Sequence, residues 1–159
     1  MQQRSGLGRA YWEDVAVGEV VPFGKKTVTR EEIIDFARSF DPQPFHLDDE
    51  AAGSSMVGKL FASGWHSCAM LMRMLADEVL NNAASQGSPG MEEVRWLKPV
   101  FPGDELSARY TCLSKRLLSS RPGIGVCQML FEMLNQDGDV VMTWKASQFL
   151  GTAAAGADR

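Results

Sequence analysis

A chain of 159 residues, 45% hydrophobic and 23% charged, has the size and make-up of one globular domain with a buried core. Its net charge of −4 and pI near 5.2, with sixteen scattered Lys and Arg, argue against a nucleic-acid partner, which needs clustered basic residues. No apolar run approaches the roughly 20 residues that cross a bilayer, and Met1-Gln2-Gln3-Arg4 leads into no signal-peptide core, so a soluble, cytoplasmic protein without a membrane partner is expected.

Residues 1–10 and 151–159 are small, polar or Gly-rich and lack periodicity, which predicts two flexible tails around a folded body over residues 11–150. Residues 19–28 read as a strand. Thr29-Arg30-Glu31-Glu32 then has the pattern of a capping box opening a helix with Ile33, Ile34, Ala37 and Phe40 as its buried stripe. Pro42 and Pro44 end that helix near Asp41 and make residues 41–48 a stiff loop. Asp48-Asp49-Glu50 reads as the acid-rich start of another helix in preference to a calcium loop, whose alternation and central glycine are missing.

From Gly64 to about Leu80 runs an uninterrupted apolar helix, about 25 Å long at 1.5 Å per residue, with Trp65, Cys68, Met72, Leu75 and Val79 at helical spacing. After the polar link at residues 81–90 the period changes to two. Leu106, Ala108, Tyr110 and Cys112 form one alternating face; Cys127, Met129, Phe131 and Met133 form a second; Val140, Met142, Trp144 and Ala146 form a third beyond an Asp137-Gly138 turn. With residues 91–97 before them these predict an antiparallel meander, hence an α+β domain whose long central helix is wrapped by an antiparallel sheet.

Cys68, Cys112 and Cys127, an odd number at wide spacings in apolar segments, read as buried thiols of a reducing compartment. No metal is expected: His46 and His66 lie twenty apart with no recognised ligand spacing around them. Gly123-Ile124-Gly125 lacks the third glycine of a dinucleotide motif.

The loop from Asp41 to Asp48 holds a carboxylate and an imidazole five residues apart on a proline-stiffened stretch, a pair suited to moving protons between water and carbon. Spacing alone is a weak signal and favours a helix end, a turn and a surface histidine. The run Phe40-Asp41-Pro42-Gln43-Pro44-Phe45-His46-Leu47-Asp48 closely resembles the hydratase motif of MaoC-like dehydratases and (R)-specific enoyl-CoA hydratases. The resemblance continues through Ala62-Ser63-Gly64-Trp65-His66, residues 94–100 and Pro102-Gly103-Asp104.

That resemblance implies a single hot-dog domain, a homodimer or higher homo-oligomer with the two sheets joined, and a thioester of coenzyme A or acyl carrier protein as substrate, with no further cofactor. It implies reversible hydration of a 2-enoyl thioester with Asp41 and His46 catalytic, and Gln43, Ser63, Gly64 and Trp65 at the substrate. Thioesterase activity and non-catalytic binding of acyl thioesters remain alternatives on the same fold. Gln43 stands where Asn is common, and Trp65-His66 follow Gly64 where smaller or more apolar residues often sit. Free N–H groups around Gly64 suit an oxyanion, although a glycine there also permits tight packing. Ser63 can cap the helix or touch the substrate, Trp65 reads as a core or tunnel-wall residue, and His66 as a satisfied helix histidine. Trp65, Met70, Met72, Trp96 and Trp144 are the expected tunnel walls, and Arg73, Arg95 and Lys98 candidates for phosphate contact.

Overall fold

A computed structural model describes residues 9–157. Five strands, β1 (Val20–Thr27), β2 (Met91–Trp96), β3 (Glu105–Leu117), β4 (Ile124–Leu134) and β5 (Val140–Gly151), form one antiparallel sheet in the order β1-β3-β4-β5-β2. Helices α1 (Arg30–Phe40), α2 (Asp49–Gly53) and α3 (Gly64–Glu78) lie between the first two strands, and a short α4 (Ala153–Ala157) follows the last. The sheet curls around α3, which is the hot-dog arrangement.

The alternation along the strands drives this wrapping. Leu106, Ala108, Tyr110 and Cys112 of β3, Cys127, Met129, Phe131 and Met133 of β4, and Met142, Trp144 and Ala146 of β5 are all buried on the face toward α3. Phe23, Tyr110, Phe131 and Trp144 form an aromatic row across four strands, with ring centroids 6.0, 6.3 and 6.0 Å apart. β3, β4 and β5 make the predicted meander, joined at one end by a turn in which Gly138 has φ +78°. β2 departs from it: it pairs with β5 at the far edge, because the chain leaves α3 on that side of the sheet.

The predicted stripe of α3 is rotated from the one the structure buries. His66, Ser67, Cys68, Met70, Leu71, Met74 and Leu75 are buried, whereas Trp65 is 55% and Met72 39% exposed. The helix carries apolar residues on nearly every side, so periodicity alone did not fix the face. In α1, Thr29 caps as expected, its Oγ1 accepting from Glu32 N–H at 3.2 Å, and Ile33 and Ala37 are buried. Phe40 is 74% exposed at the helix end, its ring 5.0 Å from that of Phe36. Gly24 sits at a bulge in β1 with φ +77°, and a Cβ there would lie 2.6 Å from Met74 Sδ; its absence lets β1 close down on α3.

Neither expected tail is free over its described part. Ala10 pairs with Ala83 and its carbonyl accepts from Ala84 N–H at 2.7 Å; Gly151 N–H donates to Ala84 O at 2.8 Å; Tyr11 lies against Gly156. Small side chains, which removed any periodic signal, are what let these backbones approach. Residues 1–8 and 158–159 of the expected tails lie outside the described residues. Among the described residues no helix is long and apolar enough to cross a membrane.

Leu71 is fully buried at the centre of α3 while its neighbour Met72 faces outward. Leu71→Ala is expected to cost about 2–5 kcal/mol and Met72→Ala less than about 1 kcal/mol, read as urea unfolding midpoints at one protein concentration.

Candidate active site

The last turn of α1 delivers Asp41, whose N–H caps the helix on Ala37 O at 2.9 Å. Pro42 halts the helix, and Pro44 starts a single tight turn, Pro44–His46, that throws His46 inward. Asp48 closes the loop by capping α2, its Oδ1 accepting from Glu50 N–H at 2.6 Å and Ala51 N–H at 3.4 Å. The acidic run is thus a helix start.

His46 is 4% exposed and lies edge-on to Phe45 and Phe61, ring centroids 4.6 and 4.7 Å away. Its Nδ1 is 2.8 Å from the Phe61 carbonyl. A carbonyl only accepts, so Nδ1 carries a proton, and in the neutral form of the ring Nε2 is the nitrogen left as acceptor. Nε2 faces Asp41 Oδ2 at 3.4 Å. Two acceptors so placed are poised to take up one proton, from each other's surroundings or from a water held between them.

Asp41 is held on three sides. Ser63 Oγ donates to Oδ2 at 2.7 Å, Gln43 Nε2 donates to Oδ1 at 2.7 Å, and His46 stands opposite. Burial raises its pKa, but the hydrogen bonds from Ser63 and Gln43 and the charge of His46 outweigh it and hold the carboxyl below its ordinary 3.8. The group is therefore ionised at neutral pH. Ser63 is fully buried and works twice, since its Oγ also accepts from Trp65 N–H at 3.3 Å as the N-cap of α3. The positive end of α3 thus approaches the Asp41 carboxylate through Ser63.

Of the residues expected at the site, Asp41, Gln43, His46 and Ser63 come together in one hydrogen-bonded group. Gly64 begins α3, where its N–H lies beyond the reach of intrahelical carbonyls, and a Cβ there would overlap the Trp96 ring. Tight packing thus accounts for the glycine. Trp65 is no core residue: it leans outward, edge-on to Trp96 at 5.3 Å. The five expected tunnel residues do not share a face, because Met70 and Trp144 are buried in the core while Trp65, Met72 and Trp96 are half-exposed. Arg73, Arg95 and Lys98 each pair with a neighbouring carboxylate, Asp77, Glu93 and Asp139. His66 is buried, but its Nδ1 has no hydrogen-bond partner among the described residues, so it is not the satisfied histidine expected.

Two contacts had no signature in the sequence. The Phe61 carbonyl that sets the His46 tautomer is a main-chain atom, and the Ser63–Asp41 bond joins residues 22 apart. Only the Ser at a helix-capping position hinted at the second.

Residues 14–123 match the profile of the MaoC like domain. Among solved structures, the MaoC-like dehydratase from Rhodospirillum rubrum superposes with a TM-score of 0.83 at 39% identity, over 92% of this chain and 98% of that one. The (R)-hydratase PhaJ1 from Pseudomonas aeruginosa shares the fold, with a TM-score of 0.71 at 23% identity over 91% of this chain and 86% of that one. The Bacillus subtilis protein YdeM is 27% identical over 124 residues, 78% of this chain and 86% of that protein. With its central helix inside a curled five-stranded sheet and this match over most of its length, the chain belongs to the MaoC-like dehydratase domain family.

Proposed function

We propose that the protein adds water to, or removes it from, the double bond of a 2-enoyl thioester, with Asp41 and His46 as the acid–base pair. One observation carries this reading: the bond from His46 Nδ1–H to Phe61 O leaves Nε2 as the nitrogen that exchanges a proton, and it faces the ionised Asp41 at 3.4 Å. In the hydration direction Asp41 accepts a hydrogen bond from water and His46 takes its other proton. The resulting oxygen bonds to the beta carbon, electrons move to the thioester oxygen, and the histidine returns the proton to the alpha carbon. Gly64 N–H at the start of α3 is the proposed donor to that oxygen. Gln43 and Ser63 keep Asp41 oriented, and Trp65 with Trp96 flanks the approach to the helix terminus.

The carrier, coenzyme A or acyl carrier protein, enters as part of the substrate, and the proposed steps require no metal or redox group. A cytoplasmic setting is the reading that three free, buried thiols support. A second copy of this chain is the proposed partner, since β2 is an edge strand whose Met91 and Trp96, with the adjoining Leu97, are 46%, 47% and 52% exposed. Light scattering should then report a particle of twice the 17.5 kDa chain mass.

With purified protein and a panel of trans-2-enoyl-CoA chain lengths, ultraviolet loss of the conjugated thioester should show turnover. Asp41→Asn and His46→Ala should each lower it by roughly 10²–10⁴-fold, with the unfolding midpoint measured beside it to show that each variant is folded at the assay temperature. Thiol release in place of lost conjugation would assign a thioesterase, and affinity without either reaction a binder.

Ser63→Ala tests the electrostatics. Asp41 has a depressed native pKa, so its charged form and the stability it contributes are present above pH 3.8 and lost as pH falls through the native value. Removing the Ser63 donor raises that value, so the Asp41 carboxyl titration, followed by carbon NMR, should move to higher pH in Ser63→Ala. An unmoved titration would contradict the role given to Ser63.

A further inference from the structure

His66 lies outside the group just described yet is almost wholly buried, at 6% exposure. Its ring stacks flat on Phe36 of α1, centroids 4.7 Å apart and planes 9° from parallel, and its Nε2 points at Glu32 Oε1, 3.7 Å away. Glu32 is in turn gripped by Lys26 of β1, Nζ lying 3.0 and 3.2 Å from its two oxygens. Burial, opposed by Glu32 and aided by Lys26, holds the imidazole below its usual pKa, so it is neutral at physiological pH and its Nδ1 is left buried without a hydrogen bond.

A bare ring nitrogen in the interior costs free energy that a phenyl ring would not, and a phenyl ring would stack on Phe36 equally well. An imidazole here works against stability. What it adds is a polar edge facing Glu32, which stands on α1 one turn before Phe36.

The seam between α1 and α3 has a second tie, Ser63 to Asp41. Phe36 precedes Asp41 by five residues and His66 follows Ser63 by three, so the two ties are about one to one and a half turns apart on each helix. A helix is rigid over that length. Rotation of α1 at Phe36 therefore carries Asp41 away from both Ser63 Oγ and His46 Nε2.

We infer that His66 is a positioning residue: through Glu32 and Phe36 it sets α1 against α3 so that Asp41 meets Ser63 and His46 at reacting distance. The inference rests on the reading of Asp41 as the reacting carboxylate. It predicts a dissociation of stability from activity that a purely structural residue would not show.

The test replaces His66 by Phe, which keeps the stack and removes the polar edge, and by Gln, whose amide N–H restores a donor to Glu32. Glu32→Gln, which leaves the His66 ring in place, covers the case in which a variant at position 66 does not fold. Asp41 ionisation is followed by carboxyl-carbon NMR of aspartate-labelled protein, assigned with Asp41→Asn, alongside Tm and turnover on the enoyl panel.

In H66F the unfolding midpoint should equal or exceed wild type while the Asp41 titration rises by about half a pH unit or more. In the same variant kcat should fall roughly tenfold or more with KM within about twofold. H66Q should recover most of that loss, and E32Q should behave as H66F does. An Asp41 titration that stays at the wild-type value in H66F and E32Q would overturn the inference, as would a kcat that falls only in step with Tm and is not restored in H66Q. Wild-type silence on the panel together with a raised Asp41 titration in H66F would remove the hydratase reading and leave the positioning role standing.

Discussion

Everything in this domain depends on hiding a helix that is apolar on nearly every side. α3 offers Cys68, Met70, Leu71, Met74 and Leu75 to its surroundings, and each such side chain gains roughly 1.5–3 kcal/mol on burial. A sheet covers one side, with β3, β4 and β5 presenting unbroken apolar faces toward it, and β1 closes against Met74 through the glycine at its bulge. α1 lies against the remaining side, where Phe36 stacks on His66. The N-terminus of α3 is then pinned where α1 ends, and Ser63 and Asp41 have nowhere to go but toward one another.

The electrostatics of the pair follow from that enclosure. Burial would by itself push this carboxylate toward its neutral form, yet two donated hydrogen bonds and the charge of His46 keep Asp41 ionised. The histidine is oriented by the main chain instead of by a second carboxylate, with the Phe61 carbonyl fixing which nitrogen is free. The aromatic rings of Phe45 and Phe61 confine the imidazole without competing for its protons. Charge, tautomer and orientation are thus set by different groups, donors at Asp41 and the Phe61 carbonyl and two phenyl rings at His46.

How much of this was legible from the residues alone varied with the range of the interaction. The cap at Thr29, the proline-stiffened loop, the helix start at Asp48 and the alternating strands all rest on local rules and appear in place. The burial of His66 and Ser67 ahead of Trp65 and Met72 could not be read, because the charged residues of α3, Arg73, Asp77 and Glu78, lie only in its second half and leave the first turns without a polar face to orient them. The position of β2 beside β5 follows from the path of the chain around α3, which no local pattern encodes. Residues 151–157 looked like a tail since Gly and Ala carry no periodic signal, yet their smallness is the reason the backbone docks. Asp41 and His46 stood out on the loop motif; the atoms that tune them, Ser63 Oγ and Phe61 O, reach the pair only through the fold.

Among the described residues, the polar partners of the Asp41 and His46 side chains all fall within the run from Asp41 to Ser63, and the strands β3, β4 and β5 supply none of them. On the proposed function, proton handling sits in one short cassette, while the curved wall beside it is written in separate stretches of chain. Substitutions on that wall would then leave the cassette untouched, whereas a single insertion between residues 41 and 63 would bear on both side chains at once.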